Sequence, residues 1–221
     1  MVRHVESRSG LPRRGRPPSF DREEALAAAM LVFWAKGYEG ATLEDLLEAM
    51  GGITAPSLYN AFGSKEELFK EAVDLYLSTV AGKAVEALEQ APSARLGVEL
   101  MLRTATEAFC RPGGPRGCML SSSAARCARG NEGAEAYVRS LRLRAPDAIK
   151  RRLKRASEDG ELPASTDVGR MTAFYATVAQ GLGVRAGDGV SRTELMAVID
   201  GAMAAWDGLV KASGKRPVRR A

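Results

Sequence analysis

Between Thr54 and Lys65 the chain reads TAPSLYNAFGSK, and its polar side chains are spaced for contact with a nucleic acid rather than for bond making. Tyr59 and Asn60 offer a hydroxyl and an amide, groups suited to phosphate oxygens and base edges. Lys65 follows Ser64 at a helix start, where unpaired backbone N–H groups and the positive end of the helix dipole favour a phosphate. Thr42, Thr54, Ala55, Pro56 and Ser57 sit in the first turns of two short helices and complete the candidate DNA contacts. The competing reading makes Tyr59 a packed ring and Asn60 a helix-end residue. Leu58 and Phe62 read as core.

Catalytic readings lack their parts. The only histidine is His4, so neither a triad nor a histidine metal site can be built further along. The glycine-rich piece Arg111 to Gly117 has no following Lys-Ser/Thr and is not a phosphate loop. Glu66 and Glu67 read as helix-surface charges. No enzyme activity, metal or cofactor is expected. Cys110, Cys118 and Cys127 allow a different chemistry, because a thiolate can sense electrophiles, oxidants or copper. Cys118 is the candidate sensor, with Arg116 near enough in sequence to depress its pKa. The alternative is that each is a small buried apolar residue.

The elements that hold these groups are all helical. Thr42 with Asp45 forms a box-like helix start, and Leu43, Leu46, Leu47 and Met50 follow at helical spacing. Gly51 and Gly52 stop that helix, since glycine takes left-handed backbone at low cost. Thr54 caps the next helix, with Pro56 in its first turn, where it removes no helical bond. Ser64 with Glu67 opens a third. Upstream, Asp21 and Glu24 start a helix whose stripe is Leu26, Met30, Phe33 and Trp34 and whose end is Gly37; Phe20 is placed as a staple. Three starts so close together leave room for a helix-turn-helix and the head of a longer helix.

This pattern resembles the TetR-type one-component transcriptional regulators. The family phrase is matched by Thr42, Gly52, Leu58-Tyr59-Asn60-Ala61-Phe62, Lys65 and Leu68, with Phe33, Gly37-Tyr38 and Ala41-Thr42 ahead of it. The resemblance covers about residues 20 to 70 and weakens beyond. Gly51-Gly52 makes the turn one residue longer than the family phrase, which re-aims the recognition helix. Ala55-Pro56 stands where the family has Lys-Gly or Arg-Gly, which removes one phosphate contact. The resemblance implies that Tyr59 touches backbone phosphate. It also implies a helical carboxyl-terminal domain with a ligand pocket and a dimer face.

The net charge of +5 conceals its distribution. Residues 1–20 carry five arginines and one glutamate, and residues 211–221 carry five basic residues and no acid, so the body between them is mildly acidic. Arg14 and Arg16, with Arg13, are candidates for non-specific, salt-dependent phosphate binding. No secretory signal or membrane-spanning run is read, and the unpaired cysteine number suits a reduced, cytoplasmic setting.

The 221 residues are read as an all-α chain. The expected divisions are a basic tail at 1–19, a helix-turn-helix DNA-binding domain at 20–82, a larger helical ligand-binding and dimerisation domain at 83–212, and a basic tail at 213–221. Helices are expected from Ser64 to Glu89, Pro92 to Cys110, Cys118 to Ala128, Glu132 to Asp159 with a break near Pro146, Asp167 to Ala186, and Arg192 to Ala212. In the basic run Arg139 to Arg155, Leu141, Leu143, Ile149 and Leu153 are assigned to the buried side. Met101, Phe109, Met119, Tyr137, Met171 and Tyr175 are the candidate lining of an effector pocket, since methionines and aromatic rings adapt to apolar ligands. The last two helices carry apolar residues on more than one face, Met171, Phe174, Tyr175, Val178 and Leu182, then Leu195, Val198, Ile199, Met203, Trp206 and Leu209, which predicts a homodimer. The implied partners are a double-stranded operator, a small effector and a second copy of the chain. Two alternatives stand beside this: a thiol- or metal-sensing repressor using Cys118, and a helical enzyme that does not bind DNA.

Overall fold

The computed structural model describes residues 20–122 and 131–211, and within them all regular structure is helical. The basic tails with Arg13, Arg14 and Arg16, as well as His4 and Cys127, lie outside the described residues.

Local sequence signals place the first four helices. α1 (Arg22–Gly40) starts at Asp21, whose carboxylate accepts from the N–H groups of Glu23 and Glu24, and its backbone breaks at Gly37 with φ of 71°. α2 (Leu43–Ala49) opens with a full capping box between Thr42 and Asp45. α3 (Ala55–Phe62) is capped by Thr54 and closed by Gly63 at φ of 78°. α4 (Lys65–Tyr76) is capped by Ser64, which accepts from Glu67 N–H at 3.1 Å. Gly51 and Gly52 both take positive φ, 87° and 72°, and nothing crowds the place of a Cβ at either. Backbone conformation therefore sets the need for glycine in that turn.

α4 passes through a π-helical segment, Leu77–Ala81, into α5 (Gly82–Gln90). The expected Ser64–Glu89 helix is thus continuous in path, with a π segment in its middle. α6 (Ala94–Phe109) is capped by Ser93, and a loop leads to α7 (Met119–Ser122). α8 (Glu132–Arg144) and α9 (Asp147–Glu158) divide at Ala145-Pro146, as expected. α10 (Val168–Gly187), α11 (Arg192–Ala204) and α12 (Trp206–Lys211) complete the described chain, the last two separating at Ala205.

Two apolar cores form. The first gathers Phe33, Trp34, Tyr38, Leu46, Leu58, Phe62, Phe69 and Tyr76 from α1 to α4. The second gathers Leu88, Leu102, Phe109, Leu153, Met171, Tyr175, Ile199 and Trp206. Along the chain they part near residue 82, but α7 and α8 return to the first. Met119, Leu120, Ala134 and Val138 pack there, although the sequence reading put them in the larger domain. The reason is that the stripe of α8 lies on α4, with Tyr137 bonded to Asp74. Leu143, assigned to a buried side, is 68 % exposed. It lies one residue from the end of α8, beyond the reach of that core. The basic run does hide one cation: Arg152 is buried and both of its terminal nitrogens donate to Glu161 at 3.1 Å.

Candidate nucleic-acid interface

α3 has two faces of different chemistry. Leu58 and Phe62 are buried in the head. Pro56, Tyr59 and Asn60 are exposed, and the spacing of three and four residues puts them on one face. Tyr59 is 44 % exposed, a large ring left out of a core that had room for six other aromatic side chains. Packing does not require it there, which disfavours the reading of Tyr59 as a core residue. Ala55 and Ser57 are half-buried. Thr54 Oγ lies 2.9 Å from Ser57 Oγ and holds the first turn.

Lys65 is half-buried at the first position of α4. Its Nζ sits 4.7 Å from the centre of the Tyr38 ring, so the aromatic face steadies the cation at the helix end. Thr42 is exposed at the start of α2, with its hydroxyl accepting from Asp45 N–H at 3.1 Å. Tyr59, Asn60 and Lys65 thus flank the α3–α4 corner, while Thr42 and Thr54 mark the two helix starts beside it.

Sequence reasoning missed the side chains that fix this arrangement. Arg22 donates to both oxygens of Glu71 at 2.8 Å and to the Ala61 carbonyl at 3.3 Å, and its guanidinium lies 4.4 Å from the Phe62 ring centre. One exposed side chain therefore ties α1 to the end of α3 and to α4. Lys36 donates to Asp45 at 2.6 Å and ties α1 to α2. That bond, with the N–H and hydroxyl of Thr42, holds the Asp45 carboxyl down at about 2. Neither pairing has a helical spacing, so no local pattern announces it.

A shallow cleft opens between the start of α1 and the turn before α3, lined by Phe20, Asp21, Glu24, Gly51, Gly52, Thr54 and Ser57. Asp21 and Glu24 give its rim a negative sign.

The candidate effector residues separate into two groups. Met101, Phe109, Met171 and Tyr175 lie together in the second core, and Met171 and Tyr175 are fully buried. The Tyr175 hydroxyl donates to the Ala202 carbonyl at 3.3 Å, and burial pushes its pKa up to about 12. Met119 and Tyr137 belong to the first core, so the structure does not bring them to the other four. Cys118 lies between the cores and touches both, and it receives a hydrogen bond from the Tyr76 hydroxyl at 3.6 Å. Arg116, expected beside that thiol, instead donates to the carbonyls of Ala186 and Val190. Among the described residues no three metal-ligating side chains gather, and no helix is long and apolar enough to cross a membrane.

The chain matches known proteins at both scales. The family profile described as "Bacterial regulatory proteins, tetR family" fits residues 25–72, which span α1 to α4. The HTH-type transcriptional repressor ComR of Escherichia coli K12 is 30% identical over 199 residues, 90% of this chain and 94% of the relative. The repressor BdcR of the same organism is 30% identical over 83% of this chain and 87% of its own. Among solved structures, a cysteine-substituted TetR-family regulator CifR in complex with 26-base-pair operator DNA is 43% identical, with a TM-score of 0.83 over 86% of this chain and all of that one. With helices, head geometry and relatives in agreement over most of its length, the chain belongs to the tetR family and is a DNA-binding transcriptional regulator, not an enzyme.

Proposed function

We propose that the protein is a homodimeric transcriptional repressor that leaves a near-palindromic operator when a small, largely apolar effector binds its larger domain. The observation that carries the DNA part is the outward face of α3, where Tyr59 and Asn60 are exposed beside Lys65 while the opposite face is packed. Each subunit presents α3 to a major groove, and two-fold symmetry of the protein matches symmetry of the site. Two relatives are named as repressors, and CifR was solved on operator duplex, which supports the same mode here. Thr42, Thr54, Ala55, Pro56 and Ser57 line the approach, and Arg14 and Arg16 add phosphate contacts from the tail.

The dimer face is assigned to the outer sides of α10 and α11. Val184 and Val198 are 46 % and 53 % exposed, and nothing stands near the place of a Cβ at Gly181 or Gly201. Met171, Tyr175, Leu182, Leu195, Ile199, Met203 and Trp206, which the sequence suggested for this face, are buried within the chain's own core. The seam is therefore built from small residues and valines, which let two backbones come close.

The effector site is assigned to the α6–α10 region around Met101, Phe109, Met171 and Tyr175, without Met119 and Tyr137, which pack in the other core. Release follows from linkage: the effector must bind the two states with different affinity. Operator selection from random duplexes tests the core of this reading. A selected near-palindrome, bound by a dimer, supports it, and enrichment of no sequence rejects it.

A second reading keeps the scaffold and makes Cys118 a thiol sensor. The contact of its sulfur with the Tyr76 hydroxyl, at the meeting of both cores, favours it. Loss of every response in Cys118→Ser would select this reading over an apolar pocket. The reduced, cytoplasmic setting is part of the same proposal.

A further inference from the structure

Residues 116–118 form a strap between α6 and α7 that touches the head on one side and α10 on the other. On the head side, the buried indole N–H of Trp34 donates to the Gly117 carbonyl at 2.9 Å, across 83 positions of sequence. The Trp34 ring meets the Tyr76 ring edge-on at 4.9 Å, and the Tyr76 hydroxyl reaches Cys118. A buried indole N–H has no water to fall back on, so this bond keeps the head seated on the strap.

On the other side the strap is fastened at three carbonyls, two in α10 and one in the turn that follows it. Cys118 N–H donates to Gly183 at 3.4 Å, and Arg116 donates to Ala186 at 3.1 Å and to Val190 at 2.8 Å. The approach is too close for side chains. Gly117 has φ of 79°, and a Cβ there would stand 2.7 Å from the Gly183 carbonyl oxygen. A Cβ on Gly183 would stand 2.7 Å from the Cβ of Cys118.

The covalent route from head to body is irregular. It runs through the π-helical Leu77–Ala81, where the ordinary helical ladder is interrupted. The strap is the brace in parallel with it.

We propose that Trp34 is a positioning residue for operator reading: through Gly117 it fixes the head to α10, and so sets the separation of the two α3 helices in the dimer. This rests on the dimeric reading above. Trp34 touches no DNA in this account. Its effect is on which spacing of half-sites the dimer accepts, a geometric property of the pair of heads.

The test uses three duplexes: an operator that the wild-type protein selects from a random pool, the same duplex with one base pair inserted at its centre, and a single half-site. Wild-type protein is expected to bind the inserted duplex more weakly than the operator. Trp34→Phe keeps a smaller aromatic ring facing Tyr76 but has no N–H. Arg116→Ala loosens the strap from the α10 end at an exposed position. Each is expected to shrink the insertion penalty by at least about threefold, with half-site affinity unchanged. Because both act through one strap, the double variant is expected to shrink it no further than the stronger single one. An unchanged penalty in both variants, or an equal weakening on all three duplexes, overturns the proposal. A wild-type protein indifferent to the insertion overturns both the dimeric reading and this one.

Discussion

The ammonium of Lys65 lies 4.7 Å above the ring of Tyr38, at the start of the helix that follows α3. Tyr38 is itself packed on Phe69, with ring centres 5.0 Å apart, so the aromatic support is part of the head's core. A flexible lysine is thereby held near the corner where α3 and α4 meet. The ordering cost of that side chain is met in folding and need not be met again on binding DNA.

The Lys36–Asp45 bond makes a pH prediction. The Asp45 carboxyl is lowered from 3.8 to about 2, chiefly by Lys36 and then by Thr42. A depressed carboxylate contributes stability that is complete above its unfolded value and lost as pH falls through the folded one. Asp45→Asn should therefore lower the midpoint of urea unfolding at neutral pH. Its gap to wild type should close as pH falls from about 4 toward 2. The pair is partly exposed, so added salt should also narrow the gap. A constant gap across that window would show that the charge is not the cause.

The amino-terminal arginines should add affinity without choosing sequence. Each phosphate they neutralise contributes about −0.9 to the slope of log affinity against log salt. Removing residues 1–17 should flatten that slope and weaken all duplexes alike. An unchanged slope would show that the tail is not a phosphate arm.

Gly181 and Gly201 separate monomer stability from assembly. Neither has a neighbour near its missing Cβ, and glycine inside a helix costs about 1 kcal/mol relative to alanine. Replacing both by leucine should leave the helices intact or firmer, yet block close approach of a second copy. Light scattering should then move from twice the chain mass toward the chain mass. A variant that stays dimeric would place the interface elsewhere.

Met101 tests the effector site. It is nearly buried on α6, in the same core as Met171 and Tyr175. Met101→Trp should cost about 1–3 kcal/mol of stability by overpacking. It should alter the effector concentration needed for release far more than the affinity for operator. The reverse order of effects would move the pocket away from α6.

Much of the head was legible because its signals are local. The Thr42/Asp45 box, the Thr54 and Ser64 caps and the break at Gly37 each lie within a few residues of what they control. Helical spacing assigned Leu58 and Phe62 to the core but left Tyr59 open between packing and exposure, and the structure exposes it. The rest depended on contacts that sequence spacing does not encode. The Trp34–Gly117 bond and the Arg22–Glu71 pair join distant segments. Met119 and Tyr137 went to the head because α7 and α8 fold back, and an apolar stripe does not say which of two cores it serves. Met171 and Trp206 showed the same ambiguity: their helices are apolar on several faces, and only packing decides which face stays within the chain.

The most direct test of the account is operator affinity after replacing Tyr59 and Lys65 together by alanine, measured on a duplex that the wild-type protein has selected. Both side chains are proposed to contact phosphates, and a hydrogen bond to a charged group contributes roughly 1.5–3 kcal/mol. Losing both should weaken operator binding at least about a hundredfold, while circular dichroism, the melting curve and the dimer mass stay close to wild type. Wild-type affinity in this folded double variant would contradict the assignment of α3 and the head of α4 as the DNA-reading surface.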